Sequence, residues 1–184
     1  MINQVQKKRK KAVFEFNQIF GKLYEDISSI SGVSILYEPS WKEQSAQIGT
    51  KFPDINDILN VLEQKRDFDK MAATTMSGPH RDRVIFIQNN RPFIPSASTG
   101  QRRLVALLLR VAQAVYYLRI TGRKPVLLMD DVMLELDPDK RQLMTAMLPD
   151  YDQLFCTFLP GEPYERYKHS TTRIYFMDKG EWHE

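Results

Sequence analysis

The chain has 184 residues, 42% hydrophobic and 27% charged, with 26 basic against 23 acidic residues and a net charge of +3. This is the composition of a globular domain with a sizeable core; it excludes a disordered tail, and so slight a basic excess does not by itself mark a polyanion-binding protein. The one cysteine, Cys156, reads as a core residue, excludes a disulfide framework and fits a reducing compartment. No apolar run approaches the roughly 18 residues that span a bilayer and no signal-peptide core opens the chain, so a cytoplasmic protein with no membrane partner is expected.

Lys7, Lys8, Arg9, Lys10 and Lys11 form a basic run near the N-terminus. Such a run is commonly a solvated face or a frayed terminus, with contact to DNA phosphates as the alternative. Residues 11 to 30 predict an amphipathic helix, with Phe16, Ile19, Phe20, Leu23 and Ile27 at helical spacing. Val33 to Tyr37 reads as a strand closed by Pro39, and Trp41 to Pro53 as a polar loop. Asp54 opens a helix carrying Ile55, Ile58, Leu59 and Leu62 on one face. Arg83 to Ile87 and Arg91 to Ile94 predict a hairpin around Asn89-Asn90, residues that tolerate positive φ.

Ser98-Thr99-Gly100-Gln101-Arg102-Arg103 begins the most strongly amphipathic segment, with Leu104, Leu107, Leu108, Val111, Ala112, Val115 and Leu118 on one face. Ser98 is a natural N-cap. A helix N-terminus gathers unpaired N–H groups, and Gly100 would let an anion approach closely. Ordinary capping explains Ser98 but requires neither Gly100, which costs roughly 1 kcal/mol relative to Ala, nor Gln101. Arg102, Arg103, Arg110, Arg119, Arg123 and Lys124 cluster on or after this helix.

Pro125 to Met129 predicts a strand buried on both faces that delivers Asp130 and Asp131 at its carboxyl end, where α/β sheets bind ligands. The arrangement has the shape of a Walker B element, whose Asp holds magnesium. The alternative is two acids that end a core strand and cap the next helix. Asp137-Pro138 starts a further helix, with Asp as cap and Pro at the first position. Gln153 to Thr157 and Arg173 to Met177 read as strands separated by a loop with Pro160, Gly161 and Pro163. Strands alternating with helices after residue 98 predict a parallel sheet, and the earlier part a helical and antiparallel lobe.

Other chemistries find little support. His80-Arg81-Asp82 copies the kinase catalytic-loop tripeptide, but Ile87 stands where that motif needs Asn. His80, His169 and His183 lack metal-ligand spacing, and there is no Gly-x-Ser-x-Gly elbow. His80 reads as a turn residue satisfied by neighbouring backbone, and Arg81 as a contact to phosphate or DNA.

Taken together, Ser98-x-Gly100-Gln101, the Pro125 to Asp131 segment and Leu134-Glu135-Leu136-Asp137 resemble, in order, the signature motif, Walker B strand and D-loop of ABC-type ATPases. Within that class the chain is similar to the RecF family, the SMC-like ATPases of DNA replication and repair. Gly78-Pro79-His80-Arg81-Asp82 resembles the stretch RecF proteins place ahead of the signature, and Asp follows the first Walker B acid as in that family. The resemblance runs from about Phe16 to the end.

The resemblance implies the C-terminal part of an ABC-type head: an α/β fold with a partial parallel sheet, flanking helices and a helical and antiparallel lobe. Residues 1–73 would form the arm-region lobe, and 74–184 would carry the signature helix, Walker B strand, D-loop and C-terminal sheet. It further implies two heads closing on ATP and Mg2+, with Ser98, Gly100 and Gln101 meeting the γ-phosphate in trans. Asp130 would organise the metal, Asp131 orient or deprotonate the attacking water, and Asp137 sense closure. Lys7, Lys8, Arg9 and Arg81 would contact DNA. Implied partners are double-stranded, gapped or junction DNA, a second head by homodimerisation, RecO and RecR, with hydrolysis driving release from DNA and a place in the SOS response.

The sequence departs from the family pattern at three places. Thr99 stands where RecF proteins often have Gln. Phe158 falls where many ABC proteins place a His that donates to the γ-phosphate, which Phe cannot do. No Gly-x4-Gly-Lys-Ser/Thr occurs, the one Gly-Lys being Gly21-Lys22 with Phe16 where the first Gly would stand. The cradle for the α- and β-phosphates is therefore expected from a Walker A half near the family's N-terminus, and this chain alone is expected to be inactive. Two other readings stay open: another SMC-like repair ATPase, although no sustained heptads precede residue 74, and a non-hydrolysing module that binds DNA or a partner while retaining the motifs.

Overall fold

The computed structural model describes residues 2–40, 55–132 and 136–183. The expected loop from Trp41 to Pro53, the helix start at Asp54, and Leu134 and Glu135 of the D-loop element lie outside the described residues.

Helix α1 spans Ile2–Ser28 and so begins well before the predicted residue 11. The basic run is helical, with Lys7, Lys8, Arg9, Lys10 and Lys11 all exposed. Further along, Ile19, Phe20, Leu23, Tyr24 and Ile27 recur at helical spacing and are buried. Strand β1, Val33–Glu38, alternates buried and half-buried residues, as a strand with one face on the core must. One edge of β1 pairs antiparallel with β2, Arg83–Gln88. On its other edge Asn17 of α1 serves both backbone groups of Ile35, its Nδ2 donating to the carbonyl and its Oδ1 accepting from the N–H, each at 2.7 Å.

Helix α2, Ile55–Met71, buries Ile58 and Val61, with Leu62 packed against them. Ile55 and Leu59, predicted on the same apolar face, are exposed, so the buried stripe is rotated toward Val61. The chain returns through a turn of 3-10 helix at Pro79–Arg81. Gly78 is required there: its φ is +139°, and a Cβ would stand 2.9 Å from the His80 ring. The Ser40 hydroxyl donates to the Gly78 carbonyl at 2.9 Å and accepts from the Gly78 N–H at 3.0 Å. The two ends of the intervening excursion are thus tied to each other.

β2 turns through Asn89 and Asn90, at φ +50° and +61°, into the two-residue β3, Arg91–Pro92. This is the predicted hairpin, though β3 ends at Pro92, beyond which the Phe93 N–H still donates to the Phe86 carbonyl at 2.8 Å. Two consecutive positive φ values give a type I′ turn, whose twist matches that of the strands. β1 and β2 lie on either side of the 73/74 division and pair with each other.

Helix α3, Thr99–Thr121, buries Leu104, Val105, Leu108, Val111 and Ala112. It packs along α1, with the Phe16 and Tyr116 rings 4.9 Å apart and the Tyr116 hydroxyl donating to Glu15 at 2.6 Å. Contrary to the sequence expectation, α3 is long and apolar enough, by length and composition alone, to cross a membrane, at a mean hydropathy of 1.4 over 18 residues. Its buried stripe instead joins the core with α1, β1, Phe93, Ala97, Met129, Leu136 and Met144. Each aliphatic or Phe side chain fully buried there contributes roughly 1.5–3 kcal/mol. Gly122, left-handed at φ +66°, ends α3 by donating its N–H to the Leu118 carbonyl at 2.9 Å.

β4, Val126–Met129, and β5, Gln153–Cys156, then form a parallel pair. The expectation of burial on both faces fails: Val126 is 54% and Leu128 76% exposed, because among the described residues nothing covers their face. α4, Pro138–Ala146, lies between the two strands in sequence, capped by Asp137 with Pro at the first position. Cys156 is half-buried at the margin of the core. The strand predicted over Arg173 to Met177 is displaced. The chain forms a hairpin of β6, Phe176–Asp178, and β7, Glu181–His183, around Lys179 and Gly180 at positive φ. The whole is α/β, with an antiparallel sheet early and a parallel pair late.

Candidate functional site

Asp130 and Asp131 leave the carboxyl end of β4 exposed to solvent rather than sealed in the core. Their placement is controlled by a neighbour on β5 that the sequence did not single out. The β4–β5 ladder extends one step beyond its last register pair, with the Thr157 N–H donating to the Met129 carbonyl at 3.0 Å. This sets the Thr157 side chain beside both acids. Its hydroxyl accepts from the Asp131 N–H at 3.0 Å and donates to Asp130 Oδ1 at 2.7 Å. The directions are fixed by chemistry, since an amide N–H can only donate and an ionised carboxylate can only accept. Asp131 stands at φ +52°, a left-handed conformation Asp tolerates better than most residues. Among the described residues no side chain hydrogen-bonds or pairs with its carboxylate.

At the start of α3, Ser98 is the N-cap, its Oγ accepting from the Gln101 N–H at 3.2 Å. Gln101 returns the contact, its Oε1 accepting from the Ser98 N–H at 2.7 Å. This reciprocal capping box gives Gln101 a structural role that plain N-capping had not supplied, and Ser-x-x-Gln is its sequence signature. Gly100 is different. A Cβ added to it would meet no described residue within 4 Å, so no contact among the described residues demands glycine there.

Asp137 caps α4, accepting from the Lys140 N–H at 3.0 Å and pairing with its ammonium. Lys140 holds the Asp137 carboxyl below the usual carboxylate range. Phe158 packs against the Tyr164 and Tyr167 rings, an apolar use of the expected switch position.

The proposed DNA contacts fall at two places brought together by one latch. Arg9 of α1 donates to the Pro79 carbonyl and pairs with Asp82 at 3.1 Å. The Asp82 side chain is 1% exposed and also accepts from the Tyr37 hydroxyl and, at 2.9 Å, from the Ser40 N–H. Arg81 donates to the Thr75 carbonyl and the Thr74 hydroxyl, each at 2.9 Å. His80 meets the Thr75 hydroxyl at 2.8 Å and its carbonyl at 3.2 Å, as expected of a satisfied turn residue. Surface cavities of about 370 and 420 Å3, beside Arg91 and Arg66, include neither Ser98 nor Asp130. Among the described residues no three of His, Cys, Asp and Glu converge as a metal site.

No family model matches the chain. It is nevertheless 50% identical over 176 residues, 96% of its length, to the DNA replication and repair protein RecF of Treponema pallidum, of which it covers 47%. To RecF of Carboxydothermus hydrogenoformans it is 32% identical over 155 residues, covering 84% of this chain and 41% of that one. Among solved structures it is similar to the recombination mediator protein RecF with ATP, of the RecFOR pathway. The TM-score is 0.68 and the identity 25%, over 85% of this chain and 41% of the other. The chain thus spans about half the length of the curated relatives it matches.

Proposed function

The chain corresponds to the C-terminal portion of a RecF-family protein, and on that premise we propose that it supplies the signature and Walker B elements of a composite ATP site serving DNA replication and repair. The observation that carries this reading is the pair of exposed carboxylates at the carboxyl end of a parallel strand pair, one of them oriented by an internal hydrogen bond. Mg2+ is ordinarily held by one or two carboxylates together with phosphate oxygens, not by a full protein cage, and the exposed carboxylate of Asp130 suits it. Asp130 would hold the cation, whose charge offsets that of the phosphates. Asp131 would orient the attacking water or accept its proton.

Ser98, Gly100 and Gln101 would face the γ-phosphate of a second head, where the open space over Gly100 admits an anion close to the backbone. Asp137 would sense closure by exchanging Lys140 for a group across the interface. The α- and β-phosphates would be cradled by a separate Walker A half. Residues 1–73 would serve as the arm-side lobe and 74–184 as the head. DNA, approached by Lys7, Lys8, Arg9 and Arg81, is the proposed substrate of loading, with RecO and RecR as partners and the cytoplasm as the site of action. Closure on ATP would hold the dimer on DNA and hydrolysis would release it.

The test is ATP hydrolysis by the chain alone and mixed with a separately supplied RecF-family Walker A half. Activity is expected in the mixture only, and lost in Asp131→Asn. Activity in neither favours the second reading, a non-hydrolysing DNA- or partner-binding module, which Phe158, packed on Tyr164 and Tyr167 and unable to donate to a γ-phosphate, supports.

A further inference from the structure

We infer that Thr157 is the positioning residue of the acidic pair, setting the Asp130 carboxylate for its cation and fixing Asp131 beside it through a single hydroxyl. The inference deepens the ATP-site reading and rests on Asp130 being a cation ligand.

Three hydrogen bonds converge on this residue. Its N–H donates to the Met129 carbonyl at 3.0 Å, so the backbone of Thr157 is in register with the end of β4. Its hydroxyl accepts from the Asp131 N–H at 3.0 Å and donates to Asp130 Oδ1 at 2.7 Å. A hydroxyl has one proton. With the Asp131 amide already donating to it, that proton goes to Asp130, leaving Oδ2 and the one remaining lone pair of Oδ1 for a cation. A partner that orients a ligating carboxylate commonly changes metal affinity by 10- to 100-fold when removed.

The same oxygen anchors Asp131 in its left-handed conformation, at φ +52°. Loss of the hydroxyl would therefore disturb both acids at once, which a purely local support of either would not do. Phe158, the next residue, is occupied with Tyr164 and Tyr167, so the polar contact to the acids on this strand comes from Thr157.

Thr157→Val keeps the shape and the β-branched preference of the strand while removing the hydroxyl; Thr157→Ser keeps the hydroxyl. The probe is Mn2+, titrated into the isotopically labelled chain, with paramagnetic broadening of the Asp130 and Asp131 amide signals as the readout. The expected result is an apparent Mn2+ affinity lowered about 10-fold in Thr157→Val and near wild type in Thr157→Ser. Asp130→Asn serves as the separate control. Broadening undiminished in Asp130→Asn, or absent from the wild-type chain at millimolar Mn2+, overturns the cation reading and this inference with it. Broadening lost in Asp130→Asn but unchanged in Thr157→Val overturns the role of Thr157 alone. Equal losses in Thr157→Ser and Thr157→Val assign the effect to strand packing and overturn it as well.

Discussion

β1 and β4 are both short apolar strands, yet they end in opposite environments. β1 lies between β2 and the α1 helix, its Val33, Ile35 and Tyr37 buried, with its free edge satisfied by Asn17. Among the described residues β4 pairs with β5 alone, and Val126, Leu128 and Phe155 stay open to solvent. Parallel sheets are normally covered on both faces. Both strands feed one core, β1 through Val33 and Ile35 and β4 through Met129, but among the described residues only β4 leaves its second face uncovered.

The largest expected contrast is between Phe20, fully buried, and Leu128, 76% exposed. Phe20→Ala should lower unfolding free energy by about 3–5 kcal/mol in urea titrations, whereas Leu128→Ala should stay within about 0.5 kcal/mol. Similar costs for the two would abolish the distinction drawn here. Supplying the Walker A half should raise the cost of Leu128→Ala alone if that half covers β4.

The early region also has a titratable marker. Burial, then the hydrogen bond and charge of Asp82, push the Tyr37 hydroxyl up to about 12, partly opposed by Arg9. A folded-state value above the unfolded one of about 10 means that the contribution is intact below pH 10 and disappears as pH climbs through 12. Alkaline unfolding should cost on the order of 2 kcal/mol across that window. In Tyr37→Phe this part of the pH profile should flatten; a profile identical to wild type would remove Tyr37 from the account.

Smaller effects separate stability from function at the signature. Ser98→Ala deletes the cap and should cost about 1 kcal/mol in thermal or chemical unfolding. Gly100→Ala meets no neighbour, so it should be neutral or raise stability by up to about 1 kcal/mol while reducing hydrolysis in the reconstituted mixture. A mixture in which Gly100→Ala hydrolyses ATP like wild type would leave glycine there without explanation.

Features written in local chemistry were readable in advance. Asn89-Asn90 announced a turn, Ser98 and Asp137 announced caps, and the apolar period of α3 announced its buried face. The failures share a cause as well. The composition of β4 suits a strand covered on both faces, but cover depends on a neighbour, and among the described residues none lies over Val126 and Leu128. The tilt of the α2 stripe depends on what it packs against, which its own period does not state. Thr157 acts on residues 26 and 27 positions away, a pairing fixed only by the β4–β5 register. Gln101, by contrast, lies three residues after Ser98, so its capping-box role is local and legible in the sequence.

The mutual clasp of Ser40 and Gly78 gives the excursion that carries α2 a closed neck. Closing a chain at its ends in this way carries an entropy that grows only logarithmically with length, by roughly 0.6 kcal/mol per doubling. Relatives could therefore lengthen or trim this appendage, and fit it to different partners, with little thermodynamic consequence for the domain that bears it.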